Sequence, residues 1–302
     1  MQKIKVSTPV RFNVPLANYT TFRVGGPADA LAEPVSVEEM ADLLAVCSAA
    51  EIPVTVLGGG ANVVVSDRGI RGMVMLTTGL RQITCQGTQI RAAAGTTISE
   101  VSAFAAERNL QGLEFIYAMP GTTGGAVWMN ARCYDGEIAA ILTEVTTLPR
   151  VATSDAPSQL DVYRVRPEDF AYKISPFQDG SRVIIDALFQ LTPGSRDALW
   201  EVMRAHEEDR RAKGHFDAPC AGSIFKNNRD FGAPSGQIID RAGLRGTQIG
   251  GARISDGHGN IIVNTGNATA RDIRNLVELV QRRVLEHSGF ALEPEVLFPG
   301  EW

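Results

Sequence analysis

The chain contains 302 residues, enough for two domains or for a single large one. Apolar residues make up 44% of the sequence and charged residues 21%, the balance of an ordinary globular protein with a substantial core. The net charge of −5 argues against general binding to nucleic acids or anionic membranes, although it leaves room for a local basic pocket that takes an anionic ligand.

Several sequence features bear on location and metal binding. The segment MQKIKVSTPVRF (1–12) lacks the apolar stretch of a signal peptide, and no apolar run is long enough to span a membrane. The four cysteines show neither C-x-x-C spacing nor a disulfide pattern, and the four histidines are equally dispersed. We therefore expect a cytoplasmic protein with reduced thiols, no membrane partner and no protein-held metal.

Three capping patterns predict the starts of helices. Ser36, Thr97 and Thr269 are each followed three residues later by Glu or Asp, and apolar residues recur beyond them at helical spacing. The last of these helices should end at Gly289. A fourth helix is predicted from residue 195 to about residue 213, apolar at first and highly charged later.

Short β-rich runs lie between these helices, and the pattern favours a mixed α/β or α+β architecture. Strands are predicted at 53–57, 62–65, 73–76, 143–148 and 182–191. The charged helix follows Pro193-Gly194 and is predicted to form a hinge between an N-terminal and a C-terminal unit.

The first of two glycine-rich loops is Gly58-Gly59-Gly60, between the predicted strands 53–57 and 62–65. A dinucleotide fingerprint needs such glycines to open a helix, so a second β-rich run argues against a Rossmann site. Consecutive glycines can instead aim several backbone N–H groups at one anion. A simple hairpin turn is the other interpretation that fits.

The second loop, AMPGTTGGA (118–126), combines glycines with two threonine hydroxyls that could bond phosphate oxygens. Tight packing of the loop against the next element would explain the same glycines. Two such loops in one chain favour a cofactor that carries a diphosphate. The Walker pattern G-x-x-x-x-G-K-[ST] is missing from the sequence, so a P-loop nucleotide site is not supported.

Six segments, taken together and in this order, resemble the UDP-N-acetylenolpyruvoylglucosamine reductases, flavoenzymes of bacterial peptidoglycan and cell-wall precursor synthesis. They are NYTTFRVGGPA (18–28), VLGGGANVVVSD (56–67), GLEFIYAMPGTTGGAVWMNA (112–131), PCAGSIFKNN (219–228), GQIIDRAGLRGTQIGGARIS (236–255) and LEPEV (292–296). The length resembles the shorter subtype of the family, which lacks an extra substrate-covering insertion.

The resemblance implies an α+β fold in which an FAD-binding domain of the vanillyl-alcohol-oxidase (PCMH) type is followed by a substrate domain. The FAD-binding domain would span 1–194, with subdomains at about 1–70 and 71–194, and the C-terminal α+β domain 195–302. FAD would bind noncovalently, NADPH would reduce it, and the flavin would then reduce the enolpyruvyl ether to UDP-N-acetylmuramate. The protein is expected to act as a monomer.

The resemblance also assigns the cofactor and substrate residues. The two loops would hold the FAD diphosphate through Gly58, Gly59, Gly60, Ala61, Asn62, Gly121, Thr122, Thr123, Gly124, Gly125 and Asn130. The UDP-sugar would contact Tyr172, Lys213, Lys226, Asn227 and Gln237. A diphosphate favours cations and amide donors, although most lysines are merely solvated. Ala61 stands where the family usually has serine, which removes one hydroxyl.

Three residues match the family's catalytic positions. Ser223 matches a serine that donates a proton to the enol-like intermediate, although composition and spacing alone would suit a turn or a helix N-cap. Glu295 matches a glutamate that orients or stabilises charge near the intermediate, and a solvated carboxylate is the alternative. Lys173 stands where the family commonly has arginine. It keeps the positive charge for the substrate carboxylate but loses the planar fork, unless it is only an exposed loop lysine.

Two other functions stay open at this stage. The same flavin fold could serve an oxidoreductase of another small molecule, although an oxidase would not need a proton donor for an enol. Lys173 and Arg132, which replaces a usual small residue, also allow a flavin- or UDP-sugar-binding homologue with impaired turnover.

Overall fold

The computed structural model describes residues 7–151 and 159–302, so the first six residues of the segment examined for a signal peptide lie outside the described part. The helices are α1 (Val37–Ala49), α2 (Ile98–Ala106), α3 (Thr123–Trp128), α4 (Arg196–Ala212), α5 (Ser235–Arg241) and α6 (Ala270–Ser288). None of the helices in the described ranges is long and apolar enough to cross a membrane.

Strands and helices both contribute substantially, and the α+β class is confirmed. The strands are β1 (Val10–Pro15), β2 (Pro27–Ala32), β3 (Val54–Leu57), β4 (Ile70–Leu76), β5 (Ile83–Gln86), β6 (Gln89–Ala93), β7 (Leu110–Gln111), β8 (Arg132–Cys133), β9 (Gly136–Glu137), β10 (Leu142–Pro149), β11 (Asp161–Arg164), β12 (Arg182–Gln190), β13 (Thr192–Pro193), β14 (Cys220–Ser223), β15 (Gln248–Ile249), β16 (Ala252–Ile254) and β17 (Ile261–Asn264).

The chain divides into two compact units, each made of several chain segments. The first comprises 1–13, 29–59 and 72–207, and the second comprises 14–28, 60–71 and 208–302. The second unit therefore takes two early segments as well as the C-terminal third of the chain. The domain boundary at 194/195 stays a prediction.

Two larger sheets supply most of the first unit. One has the order β1-β2-β4-β3, with β3 and β4 parallel, and the other has the order β11-β10-β12-β6-β5, with antiparallel pairs. Buried apolar side chains of α1 (Met40, Leu43, Leu44) pack with Met75, and those of α2 and α3 pack in a second cluster with Phe177 and Phe189. The first cluster fixes the end of β3, from which the first glycine-rich loop emerges, and the second cluster holds α3, into which the second loop runs.

The second unit is built on the antiparallel sheet β14-β17-β16-β15. Helix α6 covers it with Ile273, Leu276, Val277, Val280 and Val284, all of them buried. Thr269 and Asp272 form the capping box that the sequence predicts, and the helix ends at Gly289. Directly before β17, Asn260 contributes a buried side-chain amide.

The predicted strand at 62–65 is wrong. Val63, Val64 and Val65 are all buried, and the segment makes only an isolated bridge, between Val63 and Leu297. Its backbone hydrogen-bonds to a segment far away in the sequence, where Val64 N–H donates to Leu297 O at 2.8 Å. The β-branched run therefore reflects burial and not membership of a sheet. The other predicted strands and the four predicted helices are present.

Candidate active site

The two glycine-rich loops meet in the first unit. A Cβ atom on Gly58 would lie 2.4 Å from Thr122 Oγ1, and one on Gly59 would lie 3.1 Å from Gly121 Cα. The first distance is too short for any side chain, so the close approach requires glycine. We call Gly58, Gly59, Gly121 and Thr122 the glycine cradle.

The second loop turns directly into α3, and its two threonines differ. Thr122 is the N-cap of α3, where its Oγ1 accepts from Gly125 N–H at 3.4 Å. Thr122 is 3% exposed, and among the described residues no bond uses its hydroxyl proton. Thr123 is completely buried, and its hydroxyl donates to Thr96 O at 3.0 Å. Of the two predicted hydroxyl donors, Thr123 therefore already spends its proton within the protein, and Thr122 stays the candidate.

In the second unit, Asn62 anchors a C-terminal segment. Its Nδ2 donates to Glu295 O at 3.0 Å, and its own carbonyl accepts from Leu297 N–H at 3.0 Å. Gly60, two residues earlier, accepts from Thr21 N–H at 3.1 Å. The sequence predicted Asn62 as a cofactor contact, and the structure adds that its amide reaches the segment that carries Glu295.

Tyr172 and Lys173 occupy the tip of a tight turn in the first unit. Ala171 and Ile174 close the turn with backbone hydrogen bonds in both directions, at 3.2 and 3.0 Å. Asn130, which is 1% exposed, donates to Ala171 O at 2.9 Å and so fixes the start of the turn. Lys173 has φ of +60°, an uncommon conformation for a residue with a side chain.

Ser223 is the last residue of β14, so it is not a helix N-cap. The pairing of β14 with β17 shifts register between Cys220 and Ser223, and Gly222 between them has φ of +68°. This bulge turns the strand just before the serine. Among the described residues, none bonds the Ser223 hydroxyl, which is partly exposed.

The segment that follows Ser223 runs beside the backbone of Glu295. Glu295 N–H donates to Ile224 O at 2.7 Å, and Lys226 N–H donates to Glu293 O at 2.9 Å. Phe225 forms an isolated bridge with Pro294 between these two bonds. The structure thus aligns the two segments that carry the predicted proton donor and the predicted glutamate.

The four residues predicted to bind substrate in the second unit have different surroundings. Lys226 Nζ lies 2.5 Å from Glu293 Oε1, and Lys213 Nζ lies 2.6 Å from Asp209 Oδ2. Asn227 Oδ1 accepts from Ser235 N–H at 2.9 Å, at the start of α5. Gln237 lies exposed on α5. A diphosphate would have to compete with carboxylates for both lysines.

Arg210, His215 and His258 lie buried or partly buried in the second unit, which also contains Cys220. Arg210 is 8% exposed, and its Nε has no partner among the described residues. Burial, reinforced by the charge of Arg210, lowers the pKa of His215 to about 4. Burial also lowers the pKa of His258 and raises the pKa of the Cys220 thiol. Both histidines are therefore neutral at pH 7.

Two family models and several known proteins match this chain. Residues 28–153 match the family model described as "FAD binding domain", and residues 214–299 match "UDP-N-acetylenolpyruvoylglucosamine reductase, C-terminal domain". A UDP-N-acetylenolpyruvoylglucosamine reductase of Treponema denticola is 39% identical over 97% of this chain and 94% of its own. The Lactococcus lactis enzyme of the same name is 38% identical over 97% and 95%.

Comparison with solved structures gives the same family and the same fold. The crystal structure of UDP-N-acetylenolpyruvylglucosamine reductase from Thermus caldophilus superposes with a TM-score of 0.79 at 33% identity, covering 97% of this chain and all of the other. The 6-hydroxy-D-nicotine oxidase of Arthrobacter nicotinovorans shares the fold over 64% of this chain and 44% of its own, with a TM-score of 0.51 at 16% identity. The predicted FAD-binding fold is therefore confirmed.

Proposed function

Because the chain belongs to the UDP-N-acetylenolpyruvoylglucosamine reductase family, we propose that it catalyses the NADPH-dependent reduction of UDP-N-acetylglucosamine enolpyruvate to UDP-N-acetylmuramate. This is a step in the synthesis of peptidoglycan precursors. The observation within the structure that carries the proposal is the alignment of Ser223 with the Glu295 segment through the bond between Glu295 N–H and Ile224 O.

The glycine cradle fits FAD. The two loops approach so closely that a Cβ on Gly58 would clash with Thr122 Oγ1. We propose that the backbone N–H groups of these glycines and the Thr122 hydroxyl face the diphosphate. We assign Gly58, Gly59, Gly121 and Thr122 to the FAD diphosphate. Asn130 would act indirectly because its amide is bonded to Ala171 O and Ala139 N–H. When bound, FAD supplies hydride transfer from NADPH to the substrate.

Ser223 is proposed to supply the proton that completes the reduction. Hydride addition to the terminal carbon of the enolpyruvyl group moves an electron pair toward the carboxylate, and a proton must then add to the carbon that bears this carboxylate. The Ser223 hydroxyl has no competing partner among the described residues, so its proton can be directed at that carbon. The resulting alkoxide takes a proton back from solvent. No histidine is needed for this step.

Lys173 is proposed to stabilise charge on the substrate, and Glu295 is proposed to orient groups around the intermediate. The Lys173 ammonium would stabilise the negative charge that builds up at the substrate carboxylate. Glu295 would orient groups around the intermediate, since its backbone is held both by Ile224 O and by Asn62 Nδ2. Lys213 and Lys226 would exchange their carboxylate partners for the UDP diphosphate.

A two-stage flavin assay tests the proposal. The purified protein should be yellow, NADPH should bleach it without oxygen, and UDP-N-acetylglucosamine enolpyruvate should restore the colour. Bleaching that the substrate does not reverse would contradict the proposed substrate and favour an oxidoreductase of another small molecule.

The serine is tested in the same assay. Ser223→Ala should be bleached by NADPH at the normal rate but recover its colour about 100-fold more slowly or worse, because the proton donor is lost. Ser255→Ala, which removes a hydroxyl that accepts from Gly257 N–H in the same unit, should behave as the unmodified protein. Equal recovery rates in the two variants would remove Ser223 from its role.

We further propose that the protein works in the cytoplasm, because its reaction consumes NADPH and a UDP-sugar, both of which are held there. We also propose that it works as a monomer. Light scattering of the purified protein should give the mass of a single chain. A dimer mass would contradict the monomer, and recovery of the protein in a membrane or secreted fraction would contradict the location.

A further inference from the structure

Asn260 uses its whole side-chain amide on the backbone of one residue near Ser223, Phe225. Its Oδ1 accepts from Phe225 N–H at 2.9 Å, and its Nδ2 donates to Phe225 O at 2.8 Å. The Asn260 backbone carbonyl also accepts from Ile224 N–H at 2.9 Å. Asn260 is 3% exposed, so water cannot readily replace these bonds.

These bonds continue a sheet where ordinary pairing stops. The β14–β17 ladder ends at the pair formed by Ser223 and Ile261, just after the bulge at Gly222. Beyond that point, the Asn260 amide takes the place of a strand backbone, with a donor and an acceptor facing Phe225. On its other edge, Phe225 meets Pro294. Both edges of the segment that follows Ser223 are therefore held.

We propose that Asn260 is a positioning residue that fixes the Ser223 hydroxyl for proton transfer. This inference rests on the function proposed above, in which Ser223 is the proton donor. The bulge leaves Ser223 without close ladder pairing on its N-terminal side, so its orientation depends on the anchored residues that follow it. Asn260 supplies three of the hydrogen bonds of that anchor.

The test is Asn260→Asp, which keeps the acceptor for Phe225 N–H but sets a carboxylate oxygen against Phe225 O. A misplacement of about 1 Å at a reacting group costs roughly 100-fold in rate. We expect flavin reoxidation by UDP-N-acetylglucosamine enolpyruvate to slow by 10- to 100-fold, on the order of that cost. Reduction by NADPH, which does not use Ser223, should change by less than about twofold.

A double-mutant cycle separates positioning from general damage. In a Ser223→Ala background, Asn260→Asp should slow reoxidation by less than about threefold more, because the group that it positions is already gone. Hydrogen exchange at the Phe225 amide should speed up in the single variant, because repulsion between the new carboxylate and Phe225 O pushes the two groups apart although the acceptor is kept. The matched control is Asn264→Asp at the end of β17, the strand that begins just after Asn260. There the side chain donates to Phe22 O at 3.0 Å and is likewise buried.

Several results would overturn the inference. These are equal slowing of both half-reactions, multiplicative losses in the double variant, or an equal effect of Asn264→Asp on reoxidation. If Asn260→Asp fails to retain FAD, Asn260→Ser takes its place, and failure of both while Asn264→Asp retains FAD would assign Asn260 a purely structural role. A failure of the unmodified protein to reoxidise with substrate would instead contradict the proposed function, so the two failures are distinguishable.

Discussion

Lys173 combines an uncommon backbone conformation with a firm support. Its φ of +60° costs a residue with a side chain roughly 1 kcal/mol relative to glycine. Gln178 Nε2 holds its carbonyl at 3.0 Å, and Asn130 holds the preceding Ala171 carbonyl at 2.9 Å. Such strain persists only where the surroundings enforce it, and it is concentrated at functional sites. Glycine would suit this backbone better, so the presence of lysine favours a role for the side chain.

We therefore expect Lys173→Gly to unfold at a higher temperature than the unmodified protein and yet to be reoxidised by substrate about 100-fold more slowly, as for other lost charge-stabilising donors. Lys173→Arg should equal or exceed the lysine protein, because a guanidinium meets a carboxylate with two hydrogen bonds. Thermal unfolding and stopped-flow absorbance at the flavin band measure the two effects. Unchanged reoxidation in Lys173→Gly would contradict the assigned charge.

His215 gives the second residue-scale prediction, which concerns pH. Its pKa is lowered to about 4 by burial and by Arg210, while an unfolded chain would hold it near 6.5. Above pH 6.5 both states are neutral at this site. Between about pH 4 and pH 6.5 the unfolded state binds this proton and the folded state does not. The free energy of unfolding therefore falls as the pH falls, by up to about 1.4 kcal/mol per pH unit.

Urea unfolding between pH 7 and pH 4 measures this effect. His215→Gln should show a shallower loss of stability over that interval, while a residual slope from His258, whose pKa is also lowered, should remain. His287→Gln, at an exposed position near the end of α6, serves as the control for the replacement of a histidine. The prediction fails if His215→Gln and His287→Gln give the same slope.

At the level of elements, short sequence patterns correctly predicted the helix caps whose hydrogen-bond partners are close in the sequence. The capping boxes at Thr97 and Thr269 form as predicted, because all their hydrogen bonds lie within four residues. Ser36 also caps its helix, but the Glu39 carboxylate turns instead to Val35 N–H at 2.9 Å. The short helix α3 was missed, since its six residues include two glycines and carry no apolar periodicity.

The first glycine-rich loop provides the element-scale prediction. Gly58→Ala places a Cβ against Thr122 Oγ1, and Thr122 cannot withdraw without losing its cap on α3. We expect FAD affinity to fall at least 10-fold, or about 1.4 kcal/mol. Fluorescence quenching of added FAD measures the affinity. Gly257→Ala, whose new Cβ would have no neighbour closer than 3.5 Å, should bind FAD normally. Equal affinities would exclude the glycine cradle as the diphosphate site.

At the scale of the whole molecule, the site depends on contacts that no local pattern specifies. Asn62 meets the Glu295 carbonyl across 233 residues of sequence, and β-branched character alone made 62–65 look like a strand. The motifs could identify Ser223 and Glu295 through family resemblance, but not the alignment of their backbones. Sequence patterns did not single out Asn260, because its amide bonds to Phe225 join residues 35 positions apart in the chain.

We expect bound FAD to stabilise the folded molecule as a whole. A ligand that binds only the folded state raises the free energy of unfolding by about 2.7 kcal/mol at 100 times its dissociation constant, and the gain grows with the logarithm of concentration. Stripping FAD should therefore lower the unfolding temperature by several degrees, and adding it back should restore the temperature progressively. Riboflavin, which has the same ring system but no diphosphate, should restore little, because the glycine cradle has nothing to hold. Thermal scans with both ligands measure this, and equal stabilisation by riboflavin would place the main binding energy at the ring and not at the diphosphate.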